Sequence, residues 1–488
     1  MSNHHFGALN PRTAAMRERI LGTQPSVCTE RAALATQAYR LHERDQVVLK
    51  RAYMLDNVLR NMSIYIDEDG LLAGNQAGTD RGAPIFPEYA MDWVMAELDA
   101  IQQRDGDRFI VSENSKQLIR NIYPYWKGRT LHDKGYAAFP EHARLFYDLG
   151  IIKTEGNITS GDGHIAVDYG YVLREGLAGV RARLREAESC LALTRYDDLK
   201  KSYFYRAIAI VLDAVEAFSL RYAALADEQA RGHNNAKRAA ELRELARICR
   251  KVPMHPAETF HEALQSVWLL HVALQIESNG HSLSYGRFDQ YMTPCYFASR
   301  DSGMTEETAC ELLENLWIRT FSINKIRSGS HTRFSAGSPL YQNVTIGGQT
   351  PDGKDAVNEL SLLVLRTVAR CRLPQPNLTV RYHSGLSADF MRECVEVIRC
   401  GFGMPAFNND QVIVPSLARL GVHARDALDY SAIGCVEVAV PGKWGYRCTG
   451  MSFLNFPNSA HRAKRWRGHG QRTAPGTCHR PFSGHAKF

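Results

Sequence analysis

Residues 377–383 of the chain read NLTVRYH, a run of β-branched and aromatic residues bounded by turn-forming residues. QNVTIGG at 342–348 and QVIVPSL at 411–417 have the same character. Short runs of this kind predict β-strands, and the periodic segments between them predict helices. Alternating helices and short strands predict an α/β fold, with an active site on loops at the strand ends.

The helical segments are long and have recognisable starts. Apolar residues recur at helical spacing over 30–62 and over 196–250. A further helix is expected to start near Pro256, and another after Thr305, a good N-cap residue that two acidic residues follow. No linker divides residues 1–457, so we expect one large domain there.

The composition is that of a soluble globular protein, with 44% apolar and 23% charged residues among 488. No apolar run approaches the roughly 18–20 residues of a membrane span, and the N-terminus lacks the features of a secretory signal, so we expect a cytoplasmic protein without a membrane partner. Eleven dispersed cysteines, none in a C-x-x-C pair, argue against a disulfide framework or a metal site. Most of them are expected to be buried and unreactive.

The net charge of +7 comes entirely from the C-terminal end. Residues 458–488 contain seven Lys or Arg and no Asp or Glu, whereas residues 1–457 are neutral overall. Nucleic-acid binding is therefore not expected, although a basic tail that binds an acidic surface is an alternative. The tail also lacks apolar periodicity, so we expect it to be disordered.

The segment SAIGCVEVAVPG at 431–442 concentrates reactive side chains. A glycine before Cys435 and a Pro-Gly pair after it predict a tight, exposed loop that presents the thiol and the Glu437 carboxylate to one cavity. A buried cysteine beside an incidental glutamate is the alternative. A nucleophilic thiolate is not favoured, because no neighbour in the sequence supplies a cation or base that would lower the thiol pKa.

Two further segments carry candidate polar residues. His164 follows the Gly-rich turn SGDG, and a lone histidine of this kind is either structural or catalytic. His281 and Ser282 lie in ESNGHS, just past an apolar helical segment. Because polar groups are costly to bury without partners, this cluster indicates either a polar pocket or an internal hydrogen-bond network.

Together, GCVE at 434–437, GMPAFNND at 403–410, LPQPNLTVRYH at 373–383 and ESNGHS at 277–282 resemble the glycyl radical enzymes of the pyruvate formate-lyase-like group. The resemblance covers residues 20–457, with the motifs in the family's order. It implies the first half of a ten-stranded α/β barrel, which the family builds from two five-stranded halves with surrounding helices. The cysteine loop would reach into the centre of that barrel.

The resemblance also implies radical chemistry on a small-molecule substrate. In the family, an activating enzyme uses S-adenosylmethionine and an iron–sulfur cluster to install a radical on a backbone glycine, and no further cofactor is bound. That glycine takes a hydrogen atom from the loop cysteine, here Cys435, whose thiyl radical takes one from the substrate. Glu437 matches a base that acts on a substrate hydroxyl, and His164, His281 and Ser282 match positions that hold hydroxyls or assist the leaving group. The intact enzymes commonly form homodimers.

Two features of the loop narrow the family. Pyruvate formate-lyases proper have two adjacent cysteines there, whereas Gly434 precedes Cys435 in this chain, so formate acetyltransferase activity is only an alternative. GCVE and NGHS are more similar to the glycerol and diol dehydratases, which implies C–O or C–N lyase chemistry on a hydroxylated substrate. Those enzymes carry an acidic residue after the loop's Pro-Gly-Lys, where this chain reads WGYRCTG, so the substrate is left open.

The family's radical glycine lies in an R-V-x-G-Y motif, which does not occur in the 488 residues. The abrupt change of composition after Pro457 is typical of translation in a shifted reading frame. The sequence therefore predicts a truncated product that holds the cysteine half of the enzyme and is inactive alone. Such a half-barrel would expose strand edges and apolar faces. A non-catalytic fragment with a basic binding tail is the remaining alternative.

Overall fold

The computed structural model describes residues 5–153, 157–161, 163–334, 340–435, 437–445 and 453–459. The helices are α1 (Pro11–Gly22), α2 (Glu30–Leu41), α3 (Val47–Asn61), α4 (Asp92–Glu97), a 3-10 helix (Ile101–Gln103), α5 (Glu113–Trp126), α6 (Leu131–Ala138), α7 (Glu141–Asp148), α8 (Asn157–Ser160), α9 (Tyr169–Ser189), α10 (Tyr196–Gly232), α11 (Ala236–Lys251), α12 (Phe260–Glu277), α13 (Phe288–Tyr291), α14 (Thr293–Asp301), α15 (Glu306–Ser322), α16 (Gly329–Phe334), α17 (Glu359–Cys371), α18 (Ala388–Arg399), α19 (Asp410–Arg419) and α20 (Ala424–Ala427). The strands are β1 (Ser26–Cys28), β2 (Gly82–Pro84), β3 (Ile152–Lys153), β4 (Gly286–Arg287), β5 (Val344–Gly347), β6 (Leu378–Tyr382), β7 (Ala406–Asn409), β8 (Ser431–Ile433), β9 (Glu437–Val440), β10 (Trp444–Gly445) and β11 (Phe453–Leu454).

The largest sheet has four parallel strands in the order β4-β5-β6-β7. In its register, Val344 of β5 is level with Leu378 of β6, and Thr379 of β6 is level with Ala406 of β7. α17 connects β5 to β6 and α18 connects β6 to β7, because parallel neighbours need a crossover connection. β5 is buried along its whole length, as expected for a covered parallel strand. The α/β fold predicted from the sequence is confirmed.

Two of the three predicted strands are present, and the third prediction is wrong. β5 and β6 lie within 342–348 and 377–383. Residues 411–417 belong instead to helix α19, and the four residues before that helix form β7. The side chain of Asn409, the last residue of β7, accepts a hydrogen bond from the Gln411 backbone N–H and so caps the helix. A capping residue therefore outweighed the β-branched run that follows it.

The predicted helices are confirmed, with changes at their ends. The segment 30–62 forms α2 and α3 with a turn between them. α12 begins at Phe260, because Thr259 and Glu262 form a capping box there. α15 begins directly after Thr305, whose side chain accepts a hydrogen bond from the Thr308 backbone N–H.

The main apolar core lies between the sheet and the long helices. α12 and α15 are buried along most of their length and pack against each other, and α15 also packs against α17. The cysteines within this part of the molecule are buried, as the sequence predicts, at positions 249, 295, 310, 371 and 394. Burial raises the pKa of the Cys249 thiol to about 12, which keeps it protonated and unreactive.

A second, antiparallel sheet follows the parallel one, with β9 between β8 and β10. Arg381 of β6 fixes the chain that enters β8, because its guanidinium donates to the backbone carbonyls of Leu428 and Tyr430. The same guanidinium forms an ion pair with Asp410, at 2.7 Å between Nη2 and Oδ2, and both side chains are fully buried. Side chains of the parallel sheet thus fix the chain that enters the antiparallel one. Of the predicted basic tail, only Asn458 and Ser459 lie within the described residues.

Candidate active site

The reactive cysteine lies at the tip of the β8–β9 hairpin. Ile433 of β8 pairs with Glu437 of β9 in an antiparallel register, so the chain reverses between these two residues. Gly434 adopts a left-handed backbone conformation with φ +60°, a conformation that glycine adopts at no steric cost. The tight, exposed loop predicted from the sequence is present, and Cys435 is exposed on it.

Three candidate side chains, two of them from distant parts of the chain, converge on Gly434. A Cβ atom placed on Gly434 would lie 2.7 Å from His164 Cε1, 3.0 Å from Ser282 Oγ and 3.1 Å from Glu437 Oε2. His164 and Glu437 also approach each other, with 3.6 Å between Nε2 and Oε2. The structure therefore brings together an imidazole, a hydroxyl and a carboxylate directly beside Cys435.

The backbone of Gly434 is fixed by polar side chains of the surrounding strands. Its carbonyl oxygen accepts hydrogen bonds from the amide groups of Asn343, at 3.2 Å, and Asn377, at 3.0 Å. Its N–H donates to the Ser284 hydroxyl at 3.3 Å. The hairpin is also tied to β5, because the Ala432 N–H donates to Thr345 Oγ1 at 3.0 Å. The position of the cysteine loop is thus set by the parallel sheet.

The thiol of Cys435 is held in its protonated form. Partial burial and the negative charge of Glu437 raise its pKa, and a hydrogen bond from the Tyr341 hydroxyl opposes them only in part. Burial and the neighbouring thiol in turn raise the pKa of Tyr341. This environment is unlike that of a nucleophilic cysteine, whose pKa is lowered by a nearby cation or helix N-terminus.

Two residues beside the site have strained backbone conformations. Ser282 has φ +72° and Tyr341 has φ +48°, both in the left-handed region that residues with a Cβ rarely adopt. Ser282 is also buried, and its N–H donates to the carbonyl of Leu340 at 2.8 Å. Conformations of this kind persist only where the surrounding structure enforces them, and they concentrate at functional sites.

His281 directly precedes Ser282 in the chain. Its ring stacks on His331, with 5.3 Å between the ring centroids. Burial lowers the pKa of His281 well below its usual value, and the positive charges of Arg327, His331, Lys325 and His164 lower it further. His281 is therefore a neutral imidazole at pH 7. The backbone segments before His164 and before His281 are in contact, since a Cβ on Gly163 would lie 2.8 Å from the carbonyl carbon of Gly280.

The structure places all five predicted site residues in one region, and it adds others that the sequence analysis missed. Asn343, Asn377 and Tyr341 contact the cysteine loop, and Lys325 and Arg327 lie near His281. The sequence does contain a pattern that could have identified the two asparagines as site residues. QNVTI at 342–346 and PNLTV at 376–380 both read Asn-x-Thr followed by a β-branched residue. The parallel register sets these repeats side by side.

Neither a metal centre nor a membrane-spanning helix is found in the part of the chain that the structure describes. No three His, Cys, Asp or Glu side chains are grouped there in a way that could hold a metal ion. No helix there is long and apolar enough to cross a bilayer.

The structure thus holds a protonated cysteine at the tip of a hairpin that is tied to a parallel sheet, beside a carboxylate and histidines. This is the arrangement that the sequence motifs lead us to expect of a radical enzyme. The family described as "Pyruvate formate lyase-like" matches residues 8–460. The chain belongs to this group of glycyl radical enzymes.

Individual relatives agree with this assignment. The chain is 48% identical to "Probable dehydratase YbiW" of Escherichia coli (strain K12), over 93% of this chain and 57% of the relative. It is 34% identical to "Isethionate sulfite-lyase" of Desulfovibrio desulfuricans, over 92% of this chain and 56% of the relative. Among solved structures, the glycerol-bound form of the B12-independent glycerol dehydratase from Clostridium butyricum superimposes with a TM-score of 0.88 at 37% identity, over 90% of this chain and 56% of that one. The chain thus spans little more than half the length of these relatives.

Proposed function

We propose that Cys435 is the hydrogen-atom relay of a glycyl radical lyase that acts on a small hydroxylated substrate and breaks a C–O or C–N bond. The observation that carries this proposal is the convergence of His164, Ser282 and Glu437 on Gly434, directly beside the thiol. Such a set of groups can hold a polar substrate and exchange protons with it at the position from which Cys435 takes a hydrogen atom.

The protonated state of the thiol suits this role. A hydrogen-atom relay must carry the S–H hydrogen between turnovers, whereas a thiolate has none to give. The raised pKa of Cys435 keeps that hydrogen in place at pH 7. In the proposed reaction the sulfur radical removes a hydrogen atom from a substrate carbon, so that an S–H bond forms as a C–H bond breaks, and it returns the hydrogen atom to the product.

The neighbouring groups would manage the protons. Glu437 would be the base for the hydroxyl on the reacting carbon, because it is the carboxylate among the three groups that converge on Gly434. His164, His281 and Ser282 would hold the substrate hydroxyls, and a histidine would give a proton to the departing group. The neutral state of His281 fits a hydrogen-bonding role better than that of a proton donor.

Formate acetyltransferase activity, the alternative reading, is not favoured. Acyl transfer in that branch needs a second cysteine at position 434, and a Cβ there would lie 2.7 Å from His164 Cε1. The named relatives are dehydratases and lyases. A binding function of the basic tail falls on residues outside the described part of the chain.

The radical itself would be supplied by a glycine. No R-V-x-G-Y motif occurs in the 488 residues, so the proposal requires that glycine on another stretch of polypeptide, and we expect this chain alone not to start the reaction. An activating enzyme that uses S-adenosylmethionine would generate the radical there. The exposed position of Cys435 leaves the thiol accessible to the stretch of polypeptide that would carry this glycine.

We further propose that the single domain over residues 1–457 contributes the first half of a ten-stranded barrel. β7 supports this extension, because within the described residues it pairs only with β6 and most of its residues are exposed. An edge of this kind is a template for a further strand.

The test is a chimera in which residues 1–445 are joined to the remaining C-terminal part of the Escherichia coli relative. After anaerobic activation, its glycyl radical should give a doublet in the electron paramagnetic resonance spectrum, because the glycine α-hydrogen splits the signal. In D₂O the doublet should collapse, since the glycine exchanges hydrogen atoms with a thiol whose own hydrogen exchanges with solvent. No substrate is needed for this readout.

The variant Cys435→Ser should form the radical and keep the doublet in D₂O. Cys190→Ser, which removes another exposed cysteine, is the matched control and should exchange like the unmodified chimera. Exchange that persists in Cys435→Ser would show that Cys435 is not the relay.

A further inference from the structure

Arg327 differs from every other buried arginine of the described residues. Five of the six have a carboxylate partner: Arg31 pairs with Glu88, Arg238 with Glu241, Arg287 with Asp429, Arg319 with Asp67 and Arg381 with Asp410. Arg327 is only 4% exposed, and it forms no ion pair with any residue that the structure describes. Its Nε and Nη1 groups have no hydrogen-bond acceptor.

Its remaining contact fixes where it lies. Arg327 Nη2 donates to the backbone carbonyl of Asn279, two residues before His281. The neighbouring Lys325 donates to the carbonyls of Ser278 and Gly280, the latter at 3.0 Å. Lys325 and Arg327 thus hold the loop that presents His281 and Ser282, and they border the candidate site.

Basic side chains predominate around His281, although the Glu437 carboxylate lies 3.6 Å from His164. His164, His281, His331, Lys325 and Arg327 lie close enough for the other four to lower the pKa of His281. Burial, without an opposing carboxylate, lowers the pKa of Arg327 to about 9, so its guanidinium is still charged at pH 7.

Leaving a guanidinium buried without a counter-charge is costly, by several kcal/mol per ion in general. Holding the Asn279 carbonyl does not require that cost, because a neutral amide could donate the same hydrogen bond. N–H groups without an acceptor on two nitrogens of one charged guanidinium are instead the features of an oxyanion-binding position.

We propose that the substrate of this site carries an oxyanion group, such as a phosphate ester, sulfonate or carboxylate, in addition to its hydroxyls, and that Arg327 binds this group. This inference rests on the proposed function and narrows its substrate class. The anion neutralises the buried guanidinium on binding, and the hydroxyl-bearing end of the substrate then reaches Cys435 and Glu437. Arg327 is a specificity residue in this arrangement.

The test uses the full chain and needs no radical. Bound ligand should shield Cys435 from iodoacetamide, and alkylation of that one cysteine can be followed by peptide mass spectrometry. The probes are glycerol and three acids with a related carbon skeleton: glycerol 3-phosphate, 2,3-dihydroxypropane-1-sulfonate and glycerate. At least one acid should protect Cys435 at a concentration about tenfold or more below that of glycerol, since charge-assisted hydrogen bonds are roughly twice as strong as neutral ones. Which acid protects best identifies the oxyanion.

Arg327→Gln should remove the advantage of the acids and leave protection by glycerol unchanged. Arg327→Lys, which keeps the positive charge, should retain part of the stronger protection by the acids. It also controls for the possibility that the glutamine variant misfolds. The control is Arg81→Gln, because Arg81 is a half-buried arginine that also lacks a carboxylate partner but donates to the Thr23 carbonyl elsewhere in the molecule. This variant should behave like the unmodified chain.

The outcomes separate the two proposals. If glycerol protects Cys435 and no acid does better, or if the preference for the acid survives in Arg327→Gln, the inference about the oxyanion is overturned and the proposed function stands. If neither glycerol nor any acid protects Cys435, the substrate site beside the cysteine fails as well. Protection by inorganic phosphate that disappears in Arg327→Gln would support the oxyanion position independently of the hydroxyl groups.

Discussion

Replacing Gly434 by alanine should displace the cysteine loop. The added methyl group would meet His164, Ser282 and Glu437 at 2.7, 3.0 and 3.1 Å, all shorter than or close to the limit of real Cβ contacts. The backbone at Gly434 also has φ +60°, which disfavours any residue with a Cβ. Two separate costs therefore fall on one substitution.

The size of each cost can be estimated. The left-handed conformation costs an alanine about 1–2 kcal/mol. Forcing a methyl group into packed surroundings costs about 1–3 kcal/mol more. Gly353 provides the matched control, because its φ is +81° and a Cβ there would have no neighbour within 4 Å. Gly353→Ala should therefore show only the first cost, about 1–2 kcal/mol, and Gly434→Ala a total of about 2–5 kcal/mol.

Urea denaturation of both variants gives the change in unfolding free energy, and alkylation of Cys435 gives the local effect. The substituted hairpin could detach from its neighbours instead of compressing them. In that case the loss of unfolding free energy cannot exceed the free energy that holds the hairpin in place, and the exposed Cys435 is alkylated faster. Gly434→Ala should thus differ from Gly353→Ala in at least one of the two measurements. Equal stability together with equal alkylation rates would refute the reasoning about convergence on Gly434.

Two further predictions concern the thiol and the support behind it. The rate of Cys435 alkylation should rise with pH around a midpoint above the usual thiol pKa of about 8.5. Glu437→Gln should lower that midpoint, because removing the negative charge favours the thiolate, while burial still opposes it. A midpoint well below about 8 in the unmodified chain would contradict this prediction. Asp410→Asn should destabilise the protein by about 3–5 kcal/mol in urea denaturation, because it leaves the fully buried Arg381 unpaired. Asp389→Asn, which breaks the exposed pair with Arg392, should change stability by less than about 1 kcal/mol, and equal effects of the two variants would argue against the buried pair.

The elements that local residues specify were predictable from the sequence. The start of α15 follows from Thr305 alone, and the turn before Cys435 follows from a glycine and a Pro-Gly pair nearby. The strand prediction at 411–417 was wrong for a reason that is also local, since the side chain of Asn409 could be recognised as an N-cap. Its β-branched residues favoured a strand, but the preceding residues already supply the fourth strand of the sheet.

The site itself depends on contacts that no window of the sequence contains. Glycine at position 434 can be explained locally as a turn residue, yet the structure gives it a second role, because side chains from two distant segments occupy the space beside it. Likewise, the sequence INKIR at 323–327 shows two basic residues, but it does not show whether a carboxylate forms an ion pair with either of them. For two other buried arginines the structure shows such a pair, between Arg381 and Asp410 and between Arg31 and Glu88. Only the tertiary structure shows that Arg327 meets no carboxylate among the described residues, and a buried charge of this kind beside the reactive groups indicates what the ligand must bring.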